Sequence, residues 1–229
     1  MSEKSTTDAL LDAALAHVAF EGWSPATFAA AVAAAGVSPE AARAACPRGA
    51  LDLAMAYHRR GDAAMLARMA AADLESMKIR ERVTFAVRAR IEAIDDKEAV
   101  RRGATLFALP QNAGEGARLV WGTADAIWTA LGDGSDDINW YTKRMILGGV
   151  YSATVLFWLG DDNPGNDATW AFLDRRIGDV MQFEKFKAQL RGNALLNGLL
   201  SGPNWLISKV KAPASTVRDD LPGRWPGSQ

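Results

Sequence analysis

Residues 24–47 read SPATFAAAVAAAGVSPEAARAACP, and this stretch decides how the first part of the chain folds. Ser24 followed by Pro25 starts a helix, because serine caps the first backbone N–H groups and proline needs no N–H partner at the first helical position. A turn follows at residues 36–38. Pro39 then opens a short helix that ends before the closing proline. The stretch therefore predicts two helices joined in helix-turn-helix form.

Helical patterns continue after this block. Apolar residues recur at three- and four-residue spacings, and alternating strand patterns with hairpin turns are absent. We predict an all-α protein of nine or ten helices and no sheet. The expected helices cover residues 7–22, 25–35, 39–46, 51–74, 79–94, 96–109, 114–131, 136–159, 167–182 and 184–201.

These helices predict four parts of the chain. Residues 1–58 form a helix-turn-helix head, and residues 59–182 form a second, larger helical bundle. Residues 183–211 form one further, amphipathic helix. Residues 212–229 hold three prolines and few large aliphatic side chains, which predicts a disordered tail.

Composition narrows the class of protein. The 26 Lys and Arg residues are balanced by 27 Asp and Glu residues, so the chain lacks the basic excess of a nucleic-acid coat. Cys46 is the single cysteine and Met1 to Thr7 is polar, which favours a reducing, cytosol-side compartment. The most apolar run, 145–159, has 15 residues, short of the roughly 20 that span a bilayer.

The head resembles the DNA-binding head of TetR-type regulators in the spacing of its turns between Leu10 and Leu53. Its third helix, however, offers one anion, Glu40, and one cation, Arg43. Such a surface can neither neutralise several phosphates nor read base edges. We therefore expect no nucleic-acid binding, and keep a TetR-type ligand-responsive transcriptional repressor as the alternative function.

Catalytic and metal-binding patterns are weak. His17 and His58 lie in separate helices, with no carboxylate in a Glu-x-x-His arrangement. The loop from Asp161 to Asp167 faintly resembles a calcium loop, but it carries a proline and lacks the twelfth-position carboxylate, so we interpret it as loop and helix capping. No Gly-x-Ser-x-Gly elbow is present, and Cys46 precedes a proline. We expect no catalytic residue, metal or cofactor.

Large aromatic residues concentrate in the second bundle, close to glycines at 122, 148 and 149. The glycines leave room between helices, so an elongated apolar cavity is one interpretation. An ordinary packed core is the other. The aromatic residues are Trp121, Trp128, Trp140, Tyr141, Tyr151, Phe157, Trp158, Trp170 and Phe172.

The string DINWYTKR at residues 137–144 resembles the signature of the coenzyme Q (ubiquinone) biosynthesis accessory protein nine family. The similarity runs from about Leu10 to Gln182 and includes ALPxN from Ala108 and TWxFL from Thr169. One departure is Ala124-Asp125, where the family has an acid pair.

The resemblance implies a TetR-like fold without DNA binding, a dimer and an isoprenoid-lipid pocket. It further implies presentation of a quinone precursor to the di-iron hydroxylase of demethoxyubiquinone, without enzymatic activity of its own. The residues expected to bind lipid are Trp121, Trp128, Leu147, Val150, Tyr151, Thr154 and Trp158. The residues expected to bind the hydroxylase are Asp137, Trp140, Tyr141 and Arg144.

Two of these partner-binding residues are neighbours in the chain. About 100° of helical rotation separates Trp140 from Tyr141, so both cannot point into one core. At least one ring should be partly exposed.

Residues 183–211 carry five cations and one anion among apolar side chains. Cations at the edge of an apolar helix attract anionic headgroups, which predicts peripheral binding to the cytosolic face of the inner membrane. A last bundle helix, docked on its own domain or on a dimer mate, is the alternative. The residues expected at the membrane are Lys185, Phe186, Lys187, Leu190, Arg191, Leu195, Leu196, Leu199, Leu200 and Trp205.

Overall fold

A computed structural model describes residues 5–192 of the chain, with side chains up to Gln182. Within this part every regular element is an α-helix, which confirms the predicted all-α class. The helices are α1 (Thr6–Glu21), α2 (Pro25–Ala35), α3 (Pro39–Ala45), α4 (Ala50–Ala71), α5 (Ile79–Glu92), α6 (Lys97–Ala108), α7 (Ala113–Ala130), α8 (Ile138–Leu159) and α9 (Asp167–Gly192).

The helix starts follow the capping chemistry of the sequence. The Ser24 hydroxyl accepts from the N–H of Thr27 at 3.2 Å, and the Ser38 hydroxyl accepts from the N–H of Ala41 at 3.2 Å. Gly36 ends α2 with φ of 63°, a left-handed conformation that glycine adopts without steric cost. The predicted helix-turn-helix is therefore confirmed.

One predicted break is wrong. We expected a helix to end at Gln182 and another to begin at Glu184, but α9 continues from Asp167 to Gly192. The sequence between Asp179 and Arg191 contains neither proline nor glycine, so nothing there interrupts the backbone hydrogen bonds of the helix.

The buried apolar side chains of the described residues form two hydrophobic cores. The head core contains Leu10, Leu11 and Leu53, and the bundle core contains Met65 and Ile127. Helix α4 contributes to both, since Leu53 and Met65 lie on the same helix. The predicted boundary at residue 58 thus falls inside one continuous helix.

A buried hydrogen bond also links the head to the bundle. The indole Nε1 of Trp23 donates to the carbonyl of Ala99 in α6 at 3.0 Å. Trp23 is 7% exposed and Ala99 is fully buried. The head is therefore packed against α6.

Among the described residues, no helix is long and apolar enough to cross a membrane. Residues 193–211 and the tail at 212–229 lie outside the described residues. The side chains of Lys185, Phe186, Lys187, Leu190 and Arg191 lie outside them too, although the backbone there belongs to α9. The membrane-binding residues thus stay a prediction.

Candidate functional site

A cavity of about 390 Å³ lies where α4 to α8 meet, with Leu15 of α1 at its edge. We call it the junction cavity. It exists because small residues face one another across three helices, so the backbones enclose space that no side chain fills. Those residues are Ala54 and Gly61 of α4, Ala99, Gly103 and Ala104 of α6, and Ala117 of α7.

The junction cavity has one polar wall, built around Arg90. This side chain is 2% exposed, and its Nε donates to Asp62 at 2.6 Å. A second guanidinium nitrogen donates to the carbonyl of His58 at 2.9 Å. The Thr123 hydroxyl donates to the same Asp62 carboxylate at 2.9 Å. A buried cation is thus held by a carboxylate from the neighbouring helix, which offsets its desolvation.

Gly61 makes room for this arginine. A Cβ at position 61 would overlap the guanidinium of Arg90, although the backbone there is ordinary helix. The position requires glycine because of packing and not because of φ.

His58 supplies a neutral imidazole to the same wall. Burial, assisted by the Arg90 cation, lowers the pKa of His58 to about 4, and the opposing effect of Asp62 is smaller. Its Nε2 lies 2.9 Å from the Thr123 hydroxyl. Asp62 follows His58 by one helical turn and lies 3.7 Å from its imidazole. A carboxylate four residues after a histidine is therefore the sequence signal for this contact, and a pattern with the carboxylate before the histidine does not contain it.

A second, smaller cavity of about 200 Å³ lies at the opposite end of the bundle. We call it the distal cavity. Its walls are mostly apolar residues of α5, α8 and α9, including Val83 and Ile177, and the lining also contains Arg80, Asn139, Thr142 and Lys143.

The predicted lipid-binding residues are divided between these features. Tyr151 lines the junction cavity. Trp128, Leu147 and Val150 line the distal cavity. The remaining three, Trp121, Thr154 and Trp158, are not in the wall of either cavity.

Those three residues have other surroundings. Thr154 is fully buried, and its hydroxyl donates to the Val150 carbonyl of its own helix at 2.7 Å. Trp158 is 6% exposed and lies beneath the ammonium group of Lys97. Trp121 faces the outside of the bundle, as described next.

Three rings form an aromatic patch on α7 and α8: Trp121, Trp140 and Tyr141. Their centroids are 5.9 Å apart for Trp121 and Trp140, and 4.8 Å apart for Trp140 and Tyr141. All three side chains are half-buried, which confirms that at least one of the adjacent pair is partly exposed. Met145, 64% exposed, extends the patch one turn along α8.

Arg144 lies behind the patch and not on its surface. The side chain is 2% exposed, and its guanidinium sits 3.9 Å from the centroid of Trp140. It donates to Asp125 at 2.6 Å and to Asp133 at 3.0 Å. The sequence predicted Arg144 as one of the exposed docking residues, and this is wrong because Arg144 is buried. Its role in the structure is to position the Trp140 ring.

Asp133 anchors this arrangement. Burial alone would raise the pKa of this carboxyl, but hydrogen bonds from Lys143, Ser135 and Arg144 outweigh it and lower the pKa to about 2. Asp137, in contrast, is exposed and caps α8 by accepting from the N–H of Asn139 at 2.8 Å. Its position at the edge of the aromatic patch is compatible with contact to a partner.

Two other parts of the molecule bear on function. In α3, Glu40 and Arg43 are exposed and Ala42 is buried. The loop before α9 is explained by capping, since the Asp161 carboxylate accepts from the Thr169 hydroxyl at 2.6 Å and from the N–H of Asn163 at 3.2 Å. No group of three metal-ligating side chains occurs among residues with described positions.

The family model that matches the chain is COQ9, over residues 113–184. This segment comprises α7, α8 and the first part of α9, so it contains the whole aromatic patch and one wall of each cavity.

Curated relatives support the same assignment. The ubiquinone biosynthesis protein COQ9, mitochondrial, of Rattus norvegicus is 39% identical over 101 residues, covering 43% of this chain and 32% of the relative. The protein of the same name from Drosophila melanogaster is 29% identical over 188 residues, covering 80% of this chain and 57% of the relative. The chain thus spans a third to somewhat over half of the length of these relatives.

The fold has its own likeness among solved structures. A TetR transcriptional regulator from Nitrosomonas europaea ATCC 19718 superposes with a TM-score of 0.62 at 20% identity, covering 75% of this chain and 95% of that one. At this identity the likeness concerns the fold alone. Residues 113–184, which form α7, α8 and the first part of α9, match the COQ9 family, and the chain has the TetR-like fold.

Proposed function

We propose that this protein acts in ubiquinone biosynthesis as a lipid-binding accessory protein. In this proposal the junction cavity holds the isoprenoid precursor, and the aromatic patch docks the demethoxyubiquinone hydroxylase. The observation that carries the proposal is the position of the COQ9-matched segment, which provides both the patch and the α7–α8 wall of the cavity.

The junction cavity suits a lipid in size and lining. Its volume of about 390 Å³ lies within the roughly 300 to 1,000 Å³ of small-molecule pockets. Its α6 and α8 walls are mostly apolar and reach the surface at Leu156, which is 65% exposed. A long tail can therefore lie partly inside the protein and partly outside it. A lipid needs such a carrier because its tail otherwise keeps it in the bilayer.

Lipid extraction tests the pocket. We expect mass spectrometry of the purified full chain to detect a prenylated lipid. Ala104→Phe, which fills the junction cavity, should remove it. Ala130→Phe, on the exposed end of α7, is the matched control and should retain it. Loss of lipid from both variants, or from neither, would contradict the assignment of this cavity.

The aromatic patch is suited to a protein partner. Half-buried tryptophan and tyrosine concentrate binding energy in interfaces, and the buried ion pairs of Arg144 hold the Trp140 ring in place. Trp140→Ala and Tyr141→Ala should weaken hydroxylase binding by roughly 1 to 3 kcal/mol. Trp170→Ala removes a tryptophan outside the patch and should leave binding intact.

Circular dichroism of each variant separates lost docking from lost folding. Unchanged hydroxylase binding by folded Trp140→Ala and Tyr141→Ala would remove this surface from consideration.

The segment at 183–211, with its five cations and one anion, supports a proposal of peripheral membrane binding at the cytosolic face of the inner membrane. The proposed working unit is a homodimer. The curated relatives carry the word mitochondrial in their names. Flotation with anionic vesicles tests the segment. The full chain should float, and a truncation after Gly192, which leaves α9 whole, should float less; equal flotation would contradict the membrane role.

The alternative, a ligand-responsive repressor, draws on the TetR-like fold. A gel shift with DNA from upstream of the protein's own gene distinguishes the two functions. Nanomolar DNA binding without co-purified lipid would favour the repressor and contradict the accessory role.

A further inference from the structure

Tyr151 is the one aromatic residue of α8 that lines the junction cavity. Tyr151 is 5% exposed, and its hydroxyl makes no hydrogen bond to the described residues. No fully enclosed side-chain nitrogen or oxygen of the described residues lacks a partner. The Tyr151 hydroxyl is therefore not sealed within protein but borders the cavity.

The surroundings of this hydroxyl define what it can bind. Burial raises the pKa of Tyr151, with Arg90 opposing the rise, so the group remains a neutral phenol that donates one hydrogen bond. The Arg90 guanidinium lies 5.8 Å from the centre of the Tyr151 ring, and the His58 imidazole meets the ring edge-on at 6.4 Å. A nearby cation favours a ligand oxygen and disfavours a positively charged ligand.

The charges of this wall are already balanced internally. The Arg90 cation is compensated by Asp62 through a contact of 2.6 Å, and the lowered pKa of His58 keeps that ring neutral near pH 7. A negatively charged ligand would have to be desolvated without a free cation, because Arg90 and Arg60 are both paired with carboxylates. The wall thus suits a neutral oxygen, such as a carbonyl, and not a diphosphate.

The cavity lining also includes the apolar residues Phe107, Val120 and Val155, beside the polar Asp95, Asp96 and Ser152. Leu156, which is 65% exposed, carries the lining to the surface. A ligand with one polar end and one apolar end can therefore place its polar end at Tyr151 and its tail along the apolar residues toward Leu156.

We infer that the junction cavity recognises the oxygen-bearing ring of its ligand through the Tyr151 hydroxyl, while the tail extends past Leu156. This inference rests on the proposed function and makes it more specific, since it assigns the residue that contacts the ring oxygen and the orientation of the ligand in the cavity. The Tyr151 hydroxyl has no partner among the described residues, so a ligand oxygen can supply its hydrogen bond.

The test uses two probes with the same tail: decylubiquinone, which has ring oxygens, and decylbenzene, which has none. Titrations of full-length protein should show at least tenfold tighter binding of decylubiquinone. In Tyr151→Phe this preference should fall about tenfold, with decylbenzene binding unchanged. Trp170→Phe, which changes an aromatic residue outside both cavities and outside the aromatic patch, should keep the full preference.

Each result has one meaning. If neither probe binds the unmodified protein, or if Ala104→Phe leaves decylubiquinone binding intact, the junction cavity is not the lipid site and the proposed function fails. If both probes bind in the cavity and Tyr151→Phe keeps the preference, the inference alone fails.

Stability of the ligand-free protein gives an independent measurement. Without a partner for its hydroxyl, Tyr151 should tolerate Tyr151→Phe with an equal or higher Tm. A fall of several degrees would show that the hydroxyl is bonded within the protein, and would overturn the inference.

Discussion

Arg90 and Arg144 are buried to the same extent, each 2% exposed, yet they organise opposite surfaces of the bundle. Each donates to a carboxylate at 2.6 Å, and each lies beside an aromatic ring of α8. Arg90 faces inward and lines the junction cavity. Arg144 supports the outward-facing Trp140.

The difference lies in their partners. Arg90 relies on one carboxylate, Asp62, which is reached from the neighbouring helix α4. Arg144 bridges Asp125 of α7 and Asp133 of the following loop. Each of the two buried arginines lies beside an aromatic ring of α8. The elements that carry their carboxylate partners differ between the ring that faces the cavity and the ring that faces outward.

The largest expected effect comes from removing each cation. Arg90→Met leaves Asp62 without its ion-pair partner and should lower the free energy of unfolding by about 3 to 5 kcal/mol. Arg144→Met should cost less, about 2 to 3 kcal/mol, because Lys143 still contacts Asp133. Urea denaturation measures both.

Arg118→Met is the matched control for this pair, since the Arg118 side chain is 77% exposed and its loss should change stability by under about 0.5 kcal/mol. Equal costs for Arg90→Met and Arg118→Met would refute the role of the buried pair.

The Arg90 wall should also respond to pH. His58 has a pKa lowered to about 4 in the folded protein, against about 6.5 when unfolded. Between these two pH values the unfolded chain binds a proton that the folded chain does not bind. The free energy of unfolding therefore has its full value above pH 6.5 and declines as the pH falls to 4. Asp62 opposes this shift, and Arg59 and Arg90 add to it.

The decline should amount to roughly 3 kcal/mol. His58→Gln should flatten this part of the pH curve, whereas the same change at His17 should preserve it. A slope that survives His58→Gln would assign the effect to another group.

Two glycine substitutions, one against Arg90 and one in open space, separate packing from helix propensity. Gly61→Ala forces a methyl group against the Arg90 guanidinium and should cost about 1 to 3 kcal/mol. Gly122→Ala lies on the outer face of α7 with nothing within 4 Å, and should stabilise by up to about 1 kcal/mol through helix propensity. Thermal unfolding of the two variants compares them directly, and equal shifts would contradict the overlap at position 61.

The smallest effect is expected at the edge of the Arg144 cluster. The ammonium group of Lys143, 39% exposed, lies 2.7 Å from Asp133, so Lys143→Met should cost about 1 kcal/mol or less at neutral pH. Asp133, with its pKa lowered to about 2, loses its stabilising effect as the pH falls from 3.8 to 2. In Lys143→Met the loss of stability between pH 3.8 and 2 should be smaller. Measurements of the free energy of unfolding below pH 4 test this.

The sequence predicts the helices of this molecule well because their ends are fixed locally. Each of these ends is set by a residue whose hydrogen bonds reach only three or four positions along the chain, so the local sequence is enough to predict the helix end. Examples are Ser24, Ser38 and Gly36. The break at residue 182 was wrong because no local signal required it.

The cavities depend on distant residues and could not be predicted in the same way. Arg90 meets Asp62 across 28 positions of the chain, and neither residue stands out in its own helix. The alanines of α4 and α6 enclose space only because those helices face each other. Arg144 was assigned to the partner surface because it belongs to the signature string at residues 137–144, whereas two carboxylates hold it inside.

Helix α4 gives the head a structural role, because the helix is shared between the head and the bundle. It supplies Leu53 to the head core and Met65 to the bundle core, and Leu15 of α1 closes the junction cavity on the head side. Cutting the head away would divide one helix, uncover Ala99 at its contact with Trp23 and open the cavity to water. A protein that never touched an operator would still need this domain, because the head contributes to the lining of the junction cavity.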